Sequence, residues 1–230
     1  MHVPDGFLDV PTSIATGVVS AGFVAIALRH AKRELDERVA PVAGLVAVFV
    51  FAAQMLNFPV GAGTSGHLLG GALAAVLVGP WTATLCLTVV LLVQGLLFAD
   101  GGMTALGTNV LIMAVVGVWS GWFAFRVLRR VLPKRLASVP VAAAGGAFVS
   151  VPVAALAFTA LYAVGGAVAI PLGTLASAMV GWHALIGIGE AVITFLAVSS
   201  LVAARPDLVR GARDVLPETT LEIRAVEVTR

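Results

Sequence analysis

The chain has 230 residues, of which 60% are apolar and only 11% charged, and its mean hydropathy is +1.04. Soluble domains are about 45–50% apolar and about 25% charged, so the composition excludes an ordinary soluble domain and indicates a polytopic membrane protein. The lone Cys86, set in an apolar run, excludes an internal disulfide framework and a Cys-rich metal site, and the net charge of +2 carries no sign of nucleic-acid binding until its basic residues are located.

The chain opens Met1-His2. A free Met1 amine, the His2 backbone nitrogen and the His2 imidazole Nδ1 can close one five-membered and one six-membered chelate ring on a metal ion. The backbone nitrogen must lose its proton, and Ni(II), Cu(II) and Co(II) are the divalent ions that drive this. Three nitrogens in one plane leave a fourth position open, and square-planar nitrogen sites select Ni(II) or Cu(II). The ordinary alternative is that any residue may follow Met. No basic n-region and no clean small-residue cleavage site precede the first apolar run, so Met1 is expected to stay on the chain.

Apolar runs of roughly 17–25 residues predict spans. The sequence predicts an all-α integral membrane protein with seven transmembrane helices, near 11–29, 40–57, 65–79, 81–98, 105–128, 139–163 and 183–203. Residues 1–203 read as one polytopic domain and 204–230 as a polar cytoplasmic tail. Every Lys and Arg lies after the first span (Arg29, Lys32, Arg33, Arg38), after the fifth (Arg126, Arg129, Arg130, Lys134, Arg135) or after the last (Arg205, Arg210, Arg213, Arg224, Arg230). By the positive-inside rule these loops are cytoplasmic, which puts the N-terminus outside and the C-terminus in the cytoplasm of a plasma (inner) membrane.

His67 follows the glycine-rich run Gly61-Ala62-Gly63-Thr64-Ser65-Gly66, with Thr64 or Ser65 as the expected N-cap. The helix predicted to follow ends at Gly79-Pro80 and is only about 14 residues, or about 21 Å at 1.5 Å per residue, against a hydrocarbon core of about 30 Å. His67 is therefore expected below the outer surface, in the first turn of a half-length helix, as a fourth ligand; a His that merely caps a loop is the alternative. Other polar residues at membrane depth are candidates by default: Asn57, Asn109, His183 and Glu190, with Gln54 and Gln94. Gln94 reads as an interhelical hydrogen-bonding residue. Asp5, Asn57, Thr64, Asn109, His183 and Glu190 form the candidate outer shell of the site, with Glu190 as an acceptor that orients a ligating His or offsets the ion's charge. His30, beside Arg29 and Lys32, reads as solvated surface.

Four ordered motifs carry a resemblance: Met1-His2-Val3-Pro4-Asp5-Gly6-Phe7-Leu8, Gly63-Thr64-Ser65-Gly66-His67-Leu68, Phe98 to Asn109 with Asp100-Gly101-Gly102-Met103-Thr104 at its centre, and Gly187-Ile188-Gly189-Glu190-Ala191. The chain resembles, over residues 1 to about 203, the CbiM/NikM proteins, the substrate-binding (S) membrane subunits of energy-coupling-factor (ECF) ABC transporters for cobalt and nickel. The resemblance implies a six-helix S-component core preceded by one extra helix that lets the N-terminus tuck back into the bundle. It also implies an ion held by the Met1 amine, the His2 backbone nitrogen, the His2 imidazole and the His67 imidazole. A membrane coupling (T) subunit and cytoplasmic ATPase subunits are the implied partners, and a small membrane companion subunit, if required, must be a separate chain.

The chain has no phosphate-binding loop of its own, since neither Lys32 nor Lys134 follows the required glycines, so it is not expected to be an enzyme. Ala40, Ala43, Gly44 and Ala47 give the second span a small-residue side that suits either contact with the coupling subunit or packing within the chain. The alternative function is a self-contained secondary metal-cation carrier driven by an ion gradient. No match between the two halves of the chain supports it. Nickel and cobalt are not distinguished.

Overall fold

A computed structural model of the chain describes residues 1–35, 37, 39–61 and 64–216. Arg38, the Ala62-Gly63 pair of the glycine-rich run before His67, and Arg224 and Arg230 of the tail lie outside the described residues. The chain folds as α1 (Val10–Ala31), α2 (Val39–Gln54), β1 (Phe58–Gly61), β2 (Thr64–Gly66), α3 (Gly71–Val78), α4 (Pro80–Phe98), α5 (Leu106–Asn109), a π-helical stretch (Val110–Gly117), α6 (Val118–Val131), α7 (Ser138–Gly165), α8 (Leu172–Ala204) and two short 3₁₀ turns (Pro206–Leu208, Arg210–Val215). β1 and β2 pair as a small antiparallel hairpin.

The protein is all-α and multi-pass, but among the described residues five helices, not the expected seven, are long and apolar enough to cross a membrane. They are Val10–Ala31, Pro80–Phe98, Leu106–Val131, Ser138–Gly165 and Leu172–Ala204. The second and third predicted spans fall away for a physical reason. Hydropathy reports burial, and it does not separate a helix that crosses a bilayer from a shorter one enclosed by its neighbours. α2 has 16 residues and α3 only eight, about 12 Å of rise. All eight residues of α3 are buried, walled by α2, α4, α6 and α7.

The start of α3 is likewise displaced from the prediction. Thr64 and Ser65 do not cap a helix; they belong to β2, and the chain then runs irregularly to Gly70. Gly70 is the N-cap at φ 73°, a left-handed conformation that glycine adopts at no steric cost, and a Cβ there would lie 2.7 Å from the Val50 side chain. The last span begins at Leu172 rather than 183, which places His183 mid-helix.

Irregular backbone inside an apolar bundle must be satisfied by protein, because hydrocarbon offers no partner. Here Glu190, fully enclosed on α8, accepts the Leu69 N–H (2.7 Å) and the Gly70 N–H (2.9 Å). Gln54 Nε2 donates to the Leu69 carbonyl at 2.7 Å. Two polar side chains from flanking helices thus replace the hydrogen bonds that a longer α3 would have made for itself.

At the opposite end the three basic segments come together. Arg129 at the end of α6 meets Asp214 (3.1 Å), and Arg210 lies 3.8 Å from Glu34. Glu34 also accepts the Thr82 N–H at 2.8 Å and so caps α4. Residues 206–215 are not a free tail: Val209 and Ala212 are buried against the bundle. Of the small-residue side of α2, Ala43 is buried against α4, where Cys86 Sγ reaches its carbonyl (3.5 Å), while Ala40 and Gly44 face outward.

Glu190→Ala removes both acceptors and leaves two buried donors unsatisfied, each costing about 1–3 kcal/mol. The variant should unfold at a clearly lower temperature than wild type in detergent, and Glu190→Gln, which keeps one acceptor oxygen, should fall between the two. Equal melting temperatures for all three would show that this buried backbone is satisfied without Glu190.

Candidate metal centre

The first nine residues thread back into the bundle and are pinned at two places. Near the entrance, the Phe7 ring packs between Phe158 and Tyr162 (centroids 5.5 and 5.2 Å), the Ala167 N–H donates to the Phe7 carbonyl, and the Asp9 N–H donates to the Gly165 carbonyl. Deeper in, Asn109 grips Val3 twice: its Oδ1 accepts the Val3 N–H (2.7 Å) and its Nδ2 donates to the Val3 carbonyl (3.2 Å). Asp5 Oδ1 accepts from the Thr104 amide (2.7 Å) and hydroxyl (2.6 Å), which together hold its carboxyl below the usual range. The loop 99–105 can lie this close because Gly102 has no side chain: a Cβ there would sit 2.4 Å from the Asp5 nitrogen. The result is an N-terminus with Met1 fully buried and His2 4% exposed.

Around His2 the polar groups are few and directed. Its Nε2 lies 3.3 Å from Gln94 Oε1, in the last turn of α4. Its Nδ1 lies 3.2 Å from Asp100 Oδ1 but out of line, so it makes no hydrogen bond among the described residues. The His67 ring is 4.6 Å away, centroid to centroid. His67 Nδ1 lies 2.8 Å from the Leu68 carbonyl, which accepts only, so this nitrogen carries the proton and Nε2 keeps its lone pair. That Nε2 is buried and has no hydrogen-bond partner among the described residues. Burial pushes the Met1 amine down to about 4, although the charge of Asp100 pulls the other way. Burial likewise lowers the His2 imidazole against the opposing contact with Asp100, and the His2 ring holds Asp100 below the usual carboxylate range. The centre therefore presents neutral nitrogens beside one carboxylate.

A cleft of about 610 Å³ opens onto His2 between the N-terminal segment, the β-hairpin and the loop after α4. Asp5 and Asp100 lie on its wall, with Asn57 Nδ2 3.4 Å from Asp100 Oδ2. Among the described residues no group of three or more His, Cys, Asp or Glu side chains is placed to hold a metal.

The structure brings Met1, His2 and His67 together, with Asn109 and Asn57 one contact away. The other candidates do different things. Asp5 serves Thr104. Thr64 closes the hairpin, donating to the Gly61 carbonyl at 2.8 Å and lying 3.4 Å from Met179 Sδ. Glu190 holds backbone rather than a His side chain. His183 Nδ1 faces the Met179 carbonyl at 2.7 Å, which leaves its buried Nε2 without a hydrogen-bond partner among the described residues. His30, read as surface, is half-buried and stacks on Trp81 at 4.7 Å. Gln94 and Asp100 are the groups that the sequence reading passed over as partners of His2. Asp100 was visible as the acidic residue of the third motif, and Gln94 as a polar residue at depth.

The family model described as the cobalt uptake substrate-specific transmembrane region matches residues 2–208. The chain belongs to the CbiM family. A Haloquadratum walsbyi protein described as a metal transport protein is 42% identical over 91% of this chain and 93% of its own length. An Archaeoglobus fulgidus protein described as a fused nickel transport protein, NikMN, is 37% identical over 91% of this chain and 68% of its own. The crystal structure of a truncated transition metal transporter superposes with a TM-score of 0.81 at 29% identity, covering 88% of this chain and 99% of that one. As a CbiM-family member the chain is a multi-pass plasma-membrane protein and a substrate-binding, non-catalytic subunit of an ECF-type metal transport system.

Asn109→Ala would leave the buried Val3 N–H without its acceptor, a loss of about 1–3 kcal/mol, and loosen the deeper of the two pins. Acylation of the Met1 amine at neutral pH should then proceed roughly tenfold faster or more than in wild type, read by mass spectrometry of the N-terminal peptide. An unchanged rate would show that the entrance pins alone fix the N-terminus.

Proposed function

We propose that this chain captures Ni(II) or Co(II) through four nitrogens, the Met1 amine, the His2 backbone nitrogen, His2 Nδ1 and His67 Nε2, for import by a transporter whose ATP hydrolysis is supplied by other subunits. The observation that carries the reading is the pairing of a buried chelating N-terminus with a second imidazole 4.6 Å away whose Nε2 is unpartnered. With the metal on Nδ1, His2 Nε2 keeps its proton and donates to Gln94 Oε1, the kind of outer contact that fixes a ligating ring. The carboxylates of Asp5 and Asp100 on the cleft wall attract a dication toward the site. A membrane coupling subunit and ATPase subunits complete the machine, with a small companion subunit where one is required. The outward Ala40 and Gly44 of α2 are a surface for the coupling subunit. The cobalt of the family description and the nickel of the Archaeoglobus relative agree with a late first-row ion in nitrogen ligands and leave both metals as substrates.

One residue inserted before Met1 should abolish Ni(II) binding in calorimetry while the protein still inserts in the membrane, because the amine moves out of its chelate ring. His67→Ala should weaken binding by more than the roughly 10–100-fold that accompanies loss of an outer-shell partner, Gln94→Ala by an amount within that range, and His30→Ala not at all. Equal affinity with and without the inserted residue would remove the chelate from consideration.

The pH dependence follows from burial. The Met1 amine, lowered to about 4, and the lowered His2 are already neutral at pH 7, so neither group has a proton to release. The His2 amide proton remains to be displaced, so binding should release about one proton per ion at pH 7 and strengthen roughly tenfold per pH unit from 6 to 8. With unshifted groups, an amine near 8 and imidazoles near 6.5, more than one proton would be released. Calorimetric titration in buffers of different ionisation enthalpy counts the protons. A release near zero would point instead to an oxygen site around Asp5 and Asp100.

A further inference from the structure

The basic end of the bundle holds a second cavity, of about 370 Å³, remote from the metal centre. Its wall carries Arg126, Arg129, Arg130 and Lys134 from the end of α6 and the segment after it, faced by Arg210 and Arg213 from the last 3₁₀ turn. Asp214 is the one carboxylate in that lining and reaches Arg129 through Nη2 alone, at 3.1 and 3.2 Å. Arg129 is only 6% exposed, yet its Nε and Nη1 have no hydrogen-bond partner among the described residues. A buried guanidinium with two unused donor groups is costly unless an acceptor completes it. The two walls are held against each other by close packing: a Cβ on Gly211 would lie 2.7 Å from the Phe125 ring.

The surroundings say what kind of acceptor fits. Beside the cations, α6 presents Phe123, Val127 and Val131 outward, 69%, 39% and 74% exposed, at successive four-residue intervals on one face. Trp122, on the cavity wall, carries Arg126 5.8 Å over its ring. A ligand matched to both features is an amphiphile with an anionic head and apolar tails. A soluble anion would make no use of the stripe. Basic pockets between spans on the cytoplasmic side are suited to phospholipid head groups.

We propose that this cavity binds the phosphate of an anionic phospholipid, with Arg129 donating from Nε and Nη1, Arg126 and Arg130 adding charge, and the acyl chains lying along Phe123, Val127 and Val131. The test is native mass spectrometry of the full chain released from vesicles of equimolar phosphatidylglycerol and phosphatidylcholine. Wild type should retain phosphatidylglycerol selectively. The double variant Arg126→Ala/Arg130→Ala, altered at exposed positions and so expected to fold, should retain roughly tenfold less or lower. Lys32→Ala/Arg33→Ala, which removes the same charge at the end of α1, should behave as wild type. Equal retention of the two lipids, or the same loss in both double variants, would overturn the proposal in favour of diffuse charge. Displacement of the lipid by inorganic phosphate would overturn the lipid assignment and leave a soluble-anion site. Absence of lipid selection together with loss of ATPase-subunit co-purification in Arg126→Ala/Arg130→Ala would overturn it in favour of an acidic protein surface.

Discussion

Glu190 is the group on which the arrangement of this bundle turns. A full-length helix satisfies its own backbone, but α3 is eight residues long and is approached by irregular chain through an apolar interior. The N–H groups of Leu69 and Gly70 would be orphaned there, and each finds a carboxylate oxygen of Glu190; Gln54 takes the Leu69 carbonyl from the other side. This is what permits His67 to sit in buried coil. A His within a regular helix has its backbone bonds fixed in the helical pattern. A His in a satisfied coil can be aimed independently, and here its Nδ1 is tied to the neighbouring Leu68 carbonyl while the buried Nε2 keeps its lone pair and has no hydrogen-bond partner among the described residues.

The N-terminal segment solves the same problem in the same way. Asn109 supplies both a donor and an acceptor to Val3, and the Gly102 N–H donates to the Val3 carbonyl as well. Asn109 closes the single turn α5, directly before the π-helical stretch. α5 is seated against α1 by small and hydroxyl residues: Thr16 and Thr108 Oγ1 atoms are 2.7 Å apart, and Ser20 donates to the Gly107 carbonyl at 2.6 Å. In lipid, where apolar packing gives little net preference between helices, such small-residue crossings and hydroxyl bonds set position. The two irregular segments, each held by side chains from regular helices, are the ones that meet at His2 and His67.

Much of this was legible in the sequence. Hydropathy located every apolar helix, and basic residues marked the end at which Arg129, Arg210 and Glu34 gather. The shortness of the helix after His67 followed from Gly79-Pro80, but its start did not. Thr64 and Ser65 look like an N-cap because short hydroxyl residues favour that role, and only the left-handed Gly70 packed on Val50 shows that the chain spends six more residues in hairpin and coil. Apolar composition also made α2 and α3 into spans, since it reports neither the length of a helix nor what encloses it: α3 is buried in protein, while α2 is largely outward but only 16 residues long. Within the site, Met1-His2 and His67 were singled out from their own covalent chemistry, and the structure brings them together. Gln94 and Asp100 could not be assigned to His2, because their roles depend on a loop that turns back at Ala99, with φ 51°, and brings Asp100 beside a residue far away in sequence.

Charge balance explains why a dication could enter so dry a place on the coordination proposed here. An ion of charge +2 carried into a low-dielectric interior is strongly disfavoured unless it is neutralised on the spot. Binding by neutral amines and imidazoles alone would leave the full charge uncompensated. Loss of the His2 amide proton contributes one negative charge within the chelate itself, and Asp100, held ionised beside His2, contributes a second at its edge. The sum is zero without any carboxylate among the ligands. A permanently charged carboxylate ligand would instead have to be buried unpaired in the empty state. An amide proton avoids this, because the negative charge comes into being only as the metal arrives, and the empty centre remains a set of neutral nitrogens with one partly solvated carboxylate beside it.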